Sequence, residues 1–333
     1  MQDAIRIYIF YELNTSQFRE TLINEFRSAG HQRTIEFIDW NCFGAPPEAD
    51  GDLYIYDASI ISYLADNGYI RELADIVDAS ELFPWLRNTI KHKKKNYAFP
   101  YIVCCDTIIC RQEDDLGIEN IFSLPEPISA PLASTIAHYY YNIRCNRQND
   151  DGPMEDQKWL QMKTDLELLV KKIGGKDKLK TAKLSNGFGI EEFNNKEVKY
   201  YVGFAETLQF LVPDHYIIRK AHFTDSSADN IRLMYVNVIS LGSNVNADRL
   251  LDCMDIIEMM TTSDFEYMLC CPDGKPNYLL PANMKSYDKL IKADALYSQL
   301  YDIAADERNF TFRTKNYYET VANIKNELLR MLL

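Results

Sequence analysis

Short runs in which apolar residues alternate with polar ones, or follow one another unbroken, are separated by stretches of helical period. Ile5-Arg-Ile-Tyr-Ile-Phe-Tyr11 reads as a strand. Asn14 to Ser16 offers a helix cap, and Phe18, Leu22, Ile23 and Phe26 then fall on one helical face, to about Ala29. Thr34 to Trp40 alternates as a second strand, Pro46, Pro47 and Gly51 mark a loop, and Asp52-Leu-Tyr-Ile-Tyr-Asp57 reads as a third, buried strand. Ala58 to Asn67 continues as a helix that stops at Gly68. This order predicts an α/β fold, with parallel strands and helices on the sheet faces. Ligands of such sheets sit beyond the carboxyl ends of the strands, where Tyr11, Asp39, Trp40 and Asp57 fall. A carboxylate at such an end serves equally well as a helix cap.

The longest extended run is Asn96 to Arg111, apolar and β-branched, with Pro100 near its start. Cys104 and Cys105 lie in its middle. Successive strand side chains point to opposite faces, so at most one of the two thiols faces a given cleft. Packing alone would account for both, since free cysteine is among the most buried residue types. The preceding Lys91-His-Lys-Lys-Lys95 reads as a solvated turn.

Beyond Arg111, a helix is expected over Pro131 to Arg144, a polar linker over Asn146 to Pro153, and an amphipathic helix over Asp156 to Ile173 ended by Gly174-Gly175. Gly187-Phe-Gly189 is too short for a nucleotide-binding fingerprint. Val198 to Val202 is a strand, and Gly203 to Phe210 reads as a strand running into a helix. Glu206 falls at that helix start, where the macrodipole favours a carboxylate whatever its function. Ile231 to Leu241 is a further strand; Asp248 to Thr262, Phe265 to Leu269, Lys285 to Ile291, Ala295 to Ala304 and Tyr317 to Leu332 are helical.

At 333 residues the chain has room for two domains. A net charge of −13 argues against nucleic-acid or membrane partners, and no apolar run reaches the length of a membrane span. The eight cysteines include no Cys-x-x-Cys spacing and the five histidines are scattered, so neither a metal nor a cofactor is expected. The chain opens directly on a strand with no signal peptide, which leaves cytoplasmic location and a removed leader both open.

The order of several phrases resembles the thiaminase I (thiamine pyridinylase) family. These phrases are Glu36-Phe-Ile-Asp-Trp40, Asp52 to Asp57 with Tyr63-Leu-Ala-Asp-Asn-Gly-Tyr69, Phe99-Pro-Tyr-Ile-Val-Cys104, Val202-Gly-Phe-Ala-Glu206-Thr, and Asp273-Gly274 leading to Asn277-Tyr-Leu-Leu-Pro-Ala282. The likeness runs nearly end to end and is weakest around 112–195. It implies the two-lobed, type II fold of periplasmic solute-binding proteins, with a ligand cleft between lobes. The first lobe would take 1–105 and 238–290, the second 106–237 and 291–333.

The resemblance selects Cys104 as nucleophile and Glu206 as its base. Family enzymes add the cysteine to the pyrimidine of thiamin, release the thiazole, and let an external organic base or thiol take its place. A neutral thiol needs such a base, and a carboxylate serves once burial raises its pKa. Tyr11, Trp40, Phe204 and Tyr235 are the expected aromatic walls for the pyrimidine, and Asp57 the expected partner of its amino group. Two positions depart from the family pattern. Asn237 stands where family members carry an aspartate, and Phe204 where they carry a tyrosine, which bears on the substrate more than on the Cys/Glu chemistry. Family members are typically secreted. Two further readings remain: a binding protein for a thiamin- or pyrimidine-like ligand that performs no chemistry, and a diverged Cys/Glu enzyme acting on another heterocycle.

Overall fold

The computed structural model describes residues 4–10, 15–73, 79–131, 135, 156–175, 189–223, 232–313 and 317–319. Its strands run β1 (Ile5–Phe10), β2 (Ile35–Trp40), β3 (Leu53–Asp57), β4 (Lys91–His92), β5 (Lys95–Asn96), β6 (Phe99–Cys104) and β7 (Asp106–Arg111). They continue with β8 (Ile128–Ser129), β9 (Tyr200–Phe204), β10 (Tyr216–Lys220), β11 (Arg232–Leu233), β12 (Tyr235–Leu241), β13 (Leu280–Pro281) and β14 (Asn309–Phe310). Tyr11, the Asn14 cap, most of the Pro131–Arg144 helix, the 146–153 linker, Gly187-Phe188 and residues 320–332 lie outside the described residues.

The chain divides into two compact units. The first comprises Met1–Val103, Met234–Ala293 and Phe310–Leu333; the second comprises Cys104–Leu233 and Asp294–Asn309. The expected division instead keeps everything after 290 in the second lobe. The return at Phe310 is tied down by two long-range hydrogen bonds. Met234 N donates to Phe310 O at 2.8 Å and Thr311 Oγ1 to Met234 O at 3.2 Å, so the later segment re-enters beside the segment that leads into β12.

Unit 1 is built on a six-stranded sheet in the order β13-β6-β12-β3-β1-β2. β1 runs parallel to β2 and β3, as the β-α-β-β order requires, whereas β12 is antiparallel to β3. All five residues of β3 are buried, which matches its unbroken apolar run. Helices Thr15–Ser28, Ala247–Met260 and Ser263–Cys270 bury Leu22, Phe26, Cys253, Ile256, Ile257, Met260 and Phe265. Asp52, fully inside, ties this layer together: it accepts from Arg6 N at 2.9 Å and from Arg249 Nε at 3.0 Å. The basic run at 91–95 is a tight β4–β5 hairpin. Its lysines pair with acids, Lys93 with Asp66 at 2.5 Å and Lys95 with Glu72 at 2.6 Å.

Unit 2 holds a four-stranded sheet in the order β10-β7-β9-β8. β7 is buried at all six positions and is antiparallel to both neighbours. The helix Asp156–Lys172 has the expected extent, and Gly174 and Gly175, both at positive φ, end it through bonds from Gly174 N to Lys171 O and Gly175 N to Val170 O.

Two expected single strands are each divided. The run from Asn96 to Arg111 is not one strand: it breaks at Cys105, leaving β6 in the unit 1 sheet and β7 in the unit 2 sheet. Likewise Met234 separates β11 from β12. Apolar character is continuous through both breaks, so hydropathy carries no mark of the change of sheet.

Candidate active site

The break at Cys105 decides the fate of the two thiols. Cys104 is half-buried while Cys105 is completely enclosed. Among the described cysteines Cys104 is the one that is not buried; Cys42, Cys110, Cys253, Cys270 and Cys271 all pack into the interior. Strand alternation allowed one accessible thiol, and the structure makes it Cys104.

Glu206 sits on the neighbouring strand's continuation. β9 ends at Phe204, which caps a 3-10 helix, Ala205–Phe210, and Glu206 occupies its first turn. The expected α-helix is therefore a tighter 3-10 turn, with Gln209 Nε2 donating back to Glu206 O at 2.8 Å. The residue as a whole is half-buried, but its Oε2 is shut off from solvent and has no hydrogen-bond partner. Burial pushes the Glu206 carboxyl up to about 7, opposed by a hydrogen bond from its own backbone and, to a lesser extent than either, aided by the charge of Asp106.

Register pairs the residues that lie near these two groups in sequence, Asp106 and Phe204. β7 and β9 pair antiparallel from Cys110↔Tyr200 to Asp106↔Phe204. Cys104 lies two residues before Asp106, and Glu206 two residues after Phe204. Each is thus the same two steps beyond the last pair of the ladder, on facing chains. Thr107 Oγ1 donates to Gly203 O at 2.7 Å inside that pair and holds it closed. Gly203 is required there, because a Cβ would come within 2.6 Å of the Tyr201 ring.

In unit 1, Asp57 and Asn237 are cross-strand partners on β3 and β12, and both are buried. Asp57 Oδ1 accepts from Ser59 N at 2.8 Å, so it does cap the 3-10 turn that follows β3. Tyr235, two residues before Asn237 on β12, is half-buried. Trp40 ends β2 and is almost entirely enclosed, packing on Tyr54 and Tyr56, and its indole N–H donates to Ala45 O at 2.8 Å. Phe204 is half-buried as the Cα partner of Asp106. Tyr11 falls outside the described residues. Asp39 points outward and pairs with Arg19.

Sequence reading passed over one residue of this neighbourhood, Asp106. It is 5 % exposed, and its charge acts on Glu206. The signal was there: a carboxylate inside an otherwise apolar run, two positions from the thiol. Among the described residues one cluster could ligate a metal, His31 with Asp252 and Asp255, and it is elsewhere; Arg33 Nε already lies 2.7 Å from Asp252.

No family model matches the chain. Thiaminase-1 of Paenibacillus thiaminolyticus is 23 % identical over 342 residues, covering 93 % of this chain and 83 % of that protein. The chain is a homologue of thiaminase I. In structure it matches Clostridium botulinum thiaminase I in complex with thiamin, with a TM-score of 0.84 at 19 % identity over 98 % of this chain and 99 % of that one. The maltose-bound MalE3 of T. maritima matches with a TM-score of 0.74 at 12 % identity, over 98 % and 95 % of the two chains. The fold is thus the one that thiaminase I shares with solute-binding proteins of the maltose type, the two-lobed type II α/β architecture.

Proposed function

We propose that this chain is a thiaminase-I-type transferase in which Cys104 is the nucleophile and Glu206 its base. The observation that supports the reading is that Cys104, the one described cysteine that is not buried, and Glu206, with its enclosed carboxyl oxygen, each lie two residues along the chain from the Asp106↔Phe204 pair. A carboxyl pushed up to about 7 is matched to taking a proton from a thiol near neutral pH. In the proposed reaction Glu206 takes the thiol proton as Cys104 sulfur bonds to the pyrimidine ring. The bond from the pyrimidine methylene to the thiazole nitrogen then breaks, and the thiazole leaves with that electron pair. An amine or thiol adds at the methylene, the sulfur–ring bond breaks, and the enzyme is restored. Thiamin is the substrate named for the Clostridium botulinum relative, and we carry it over as the first substrate to try. Tyr11, Trp40, Asp57, Phe204, Tyr235 and Asn237 are the proposed substrate contacts.

The test is turnover of thiamin with aniline or a simple thiol as acceptor, read by product mass. Cys104→Ser should abolish turnover and leave the circular dichroism and melting of the protein unchanged; full activity in that variant would remove Cys104 from the chemistry. A second reading draws on one specific feature. Asn237 faces Asp57 with a carboxamide, which cannot pair with a protonated ring as a second carboxylate would. It favours a related electron-poor heterocycle as the true substrate. That reading predicts alkylation by iodoacetamide focused on Cys104 with no cleavage of thiamin.

A further inference from the structure

Three enclosed serines have their hydroxyls paired. Ser129 Oγ donates to Gly189 O at 2.9 Å, Ser286 Oγ donates to Glu266 Oε2 at 3.0 Å, and Ser240 Oγ lies 2.7 Å from the Tyr56 hydroxyl. Ser59 departs from them. It is 6 % exposed, and its hydroxyl oxygen is enclosed with no hydrogen-bond partner. Buried hydroxyls are normally paired, because removing one from water without a compensating bond is unfavourable.

The local chain does not supply the missing partner. Ser59 is the middle residue of the 3-10 turn Ala58–Ile60, which starts where β3 ends. A serine within a helix can return its hydroxyl to a carbonyl three or four residues back. For Ser59 those carbonyls belong to Tyr56 and Ile55, in the extended chain of β3, and not to a preceding helical turn. A serine can also cap a helix start with its oxygen. That role is already filled by Asp57, whose Oδ1 accepts from Ser59 N at 2.8 Å. Ser59 is fixed through its backbone, and its hydroxyl is left over.

The place of this turn in the fold is where sheets of this kind hold their ligands. β1 runs parallel to β2 and β3, and the turn lies directly beyond the carboxyl end of β3. The ladder between β3 and β12 ends at Asp57↔Asn237, and both residues are buried. A carboxyl, a carboxamide and a hydroxyl are therefore gathered on the last residues of two paired strands and the first turn after one of them. An ionised carboxylate only accepts hydrogen bonds, whereas a hydroxyl also donates. A ring edge that carries an amino group next to a ring nitrogen makes use of both.

We propose that Ser59 is a substrate-binding residue, its hydroxyl donating to a ring nitrogen of the heterocycle whose amino group Asp57 takes. This rests on the reading of the chain as a thiaminase-I-type transferase with Asp57 among its substrate contacts. The substrate then supplies the partner that the fold withholds. The hydroxyl lowers the stability of the ligand-free protein, where it is enclosed and unpaired, and strengthens the complex. Removing it should move stability and affinity in opposite directions, which a purely structural serine would not do.

The test combines two measurements on Ser59→Ala. Thiamin affinity is measured by calorimetry in the Cys104→Ser background, where the ligand is not consumed, and stability by thermal unfolding of the ligand-free chains. Ser59→Ala should weaken thiamin binding about three- to tenfold, while the ligand-free protein melts at or above the Tm of its parent. With Cys104 intact, the same substitution should raise KM by a similar factor and leave kcat nearly unchanged. A lower Tm for the ligand-free variant would mean that the hydroxyl has a structural partner, and would overturn the proposal whatever the affinity. Unchanged affinity together with an unchanged or raised Tm would overturn it as well, and would leave the roles of Cys104 and Glu206 standing. If the Cys104→Ser chain does not bind thiamin and the intact chain does not turn it over, the thiaminase reading itself fails, and the assignment of Ser59 falls with it.

Discussion

Stabilising the protein by removing its proposed base is the sharpest prediction of the site. A carboxyl that holds its proton more tightly in the folded state than in the unfolded chain makes stability fall as pH rises. Glu206 has an ordinary value of 4.5 and is pushed up to about 7 when folded, first by burial and then by Asp106. Below 4.5 both states keep the proton and nothing is lost. Between 4.5 and about 7 the unfolded chain gives up its proton first, and each pH unit removes about 1.4 kcal/mol. Above about 7 the full cost is in place, about 2 to 3 kcal/mol once the partial exposure of the residue is allowed for. Glu206→Gln cannot titrate. Its stability relative to wild type should climb steadily across that window and level off above it. Any fixed penalty of the new amide, which meets the same enclosed position, adds a constant and does not alter the slope. Other raised carboxyls, such as the fully enclosed Glu266, are common to both proteins and cancel. The assay is urea unfolding of both chains from pH 4.5 to 8.5, followed by far-ultraviolet circular dichroism and tryptophan fluorescence. A difference that stays flat over the whole range would refute the enclosed, hard-to-ionise Glu206 on which the proposed chemistry depends.

Three further outcomes test the frame around the site. Gly242→Ala would put a Cβ 2.1 Å from Gly51 O, against backbone that cannot give, and should cost about 3 kcal/mol, seen as a marked fall in Tm. Arg111→Lys should destabilise unit 2 by about 2 kcal/mol in urea unfolding, because the buried guanidinium reaches Phe193 O at 2.7 Å and Asp214 at 3.1 Å and lies 4.5 Å over the Phe193 ring, a geometry lysine cannot reproduce. Asn237→Asp would set a second buried carboxylate opposite Asp57, so one of the two should ionise only at raised pH; the variant should melt close to wild type at pH 5 and fall below it, by about 1 to 2 kcal/mol, at pH 8.

Local pattern was enough for the parts of the fold whose cause is local. The parallel β1–β3 core and the helix Asp156–Lys172 with its double-glycine end follow from period and capping, while alternation said only that one of Cys104 and Cys105 could face a cleft and the family resemblance chose Cys104. What stayed hidden has non-local causes. The hand-over from β6 to β7 at Cys105 leaves no trace in hydropathy, because both strands are buried in their own sheets. The return at Phe310 depends on a hydrogen bond to Met234, far away along the chain. The pairing of Asp106 with Phe204 depends on the register of β7 on β9, which the long stretch of intervening chain leaves undetermined until the sheet forms.

Asp106 lies between these two cases. Its alternation with Cys104 was readable, but its burial was not, and burial is what gives it meaning. An acid in an apolar run is normally a sign that the run is not buried, since unpaired carboxylates are rarely enclosed. Here the run is buried at every position of β7, the acid included. Glu206, on the facing chain, has an enclosed oxygen with no donor. An enclosed carboxyl that is hard to ionise lowers stability at neutral pH, so stability does not account for Glu206. A carboxyl with a raised pKa is what a site needs when its carboxylate form must take a thiol proton near neutral pH. The local inconsistencies of the sequence and the proposed chemistry therefore coincide, and the cost that Glu206→Gln should recover is the measure of that coincidence.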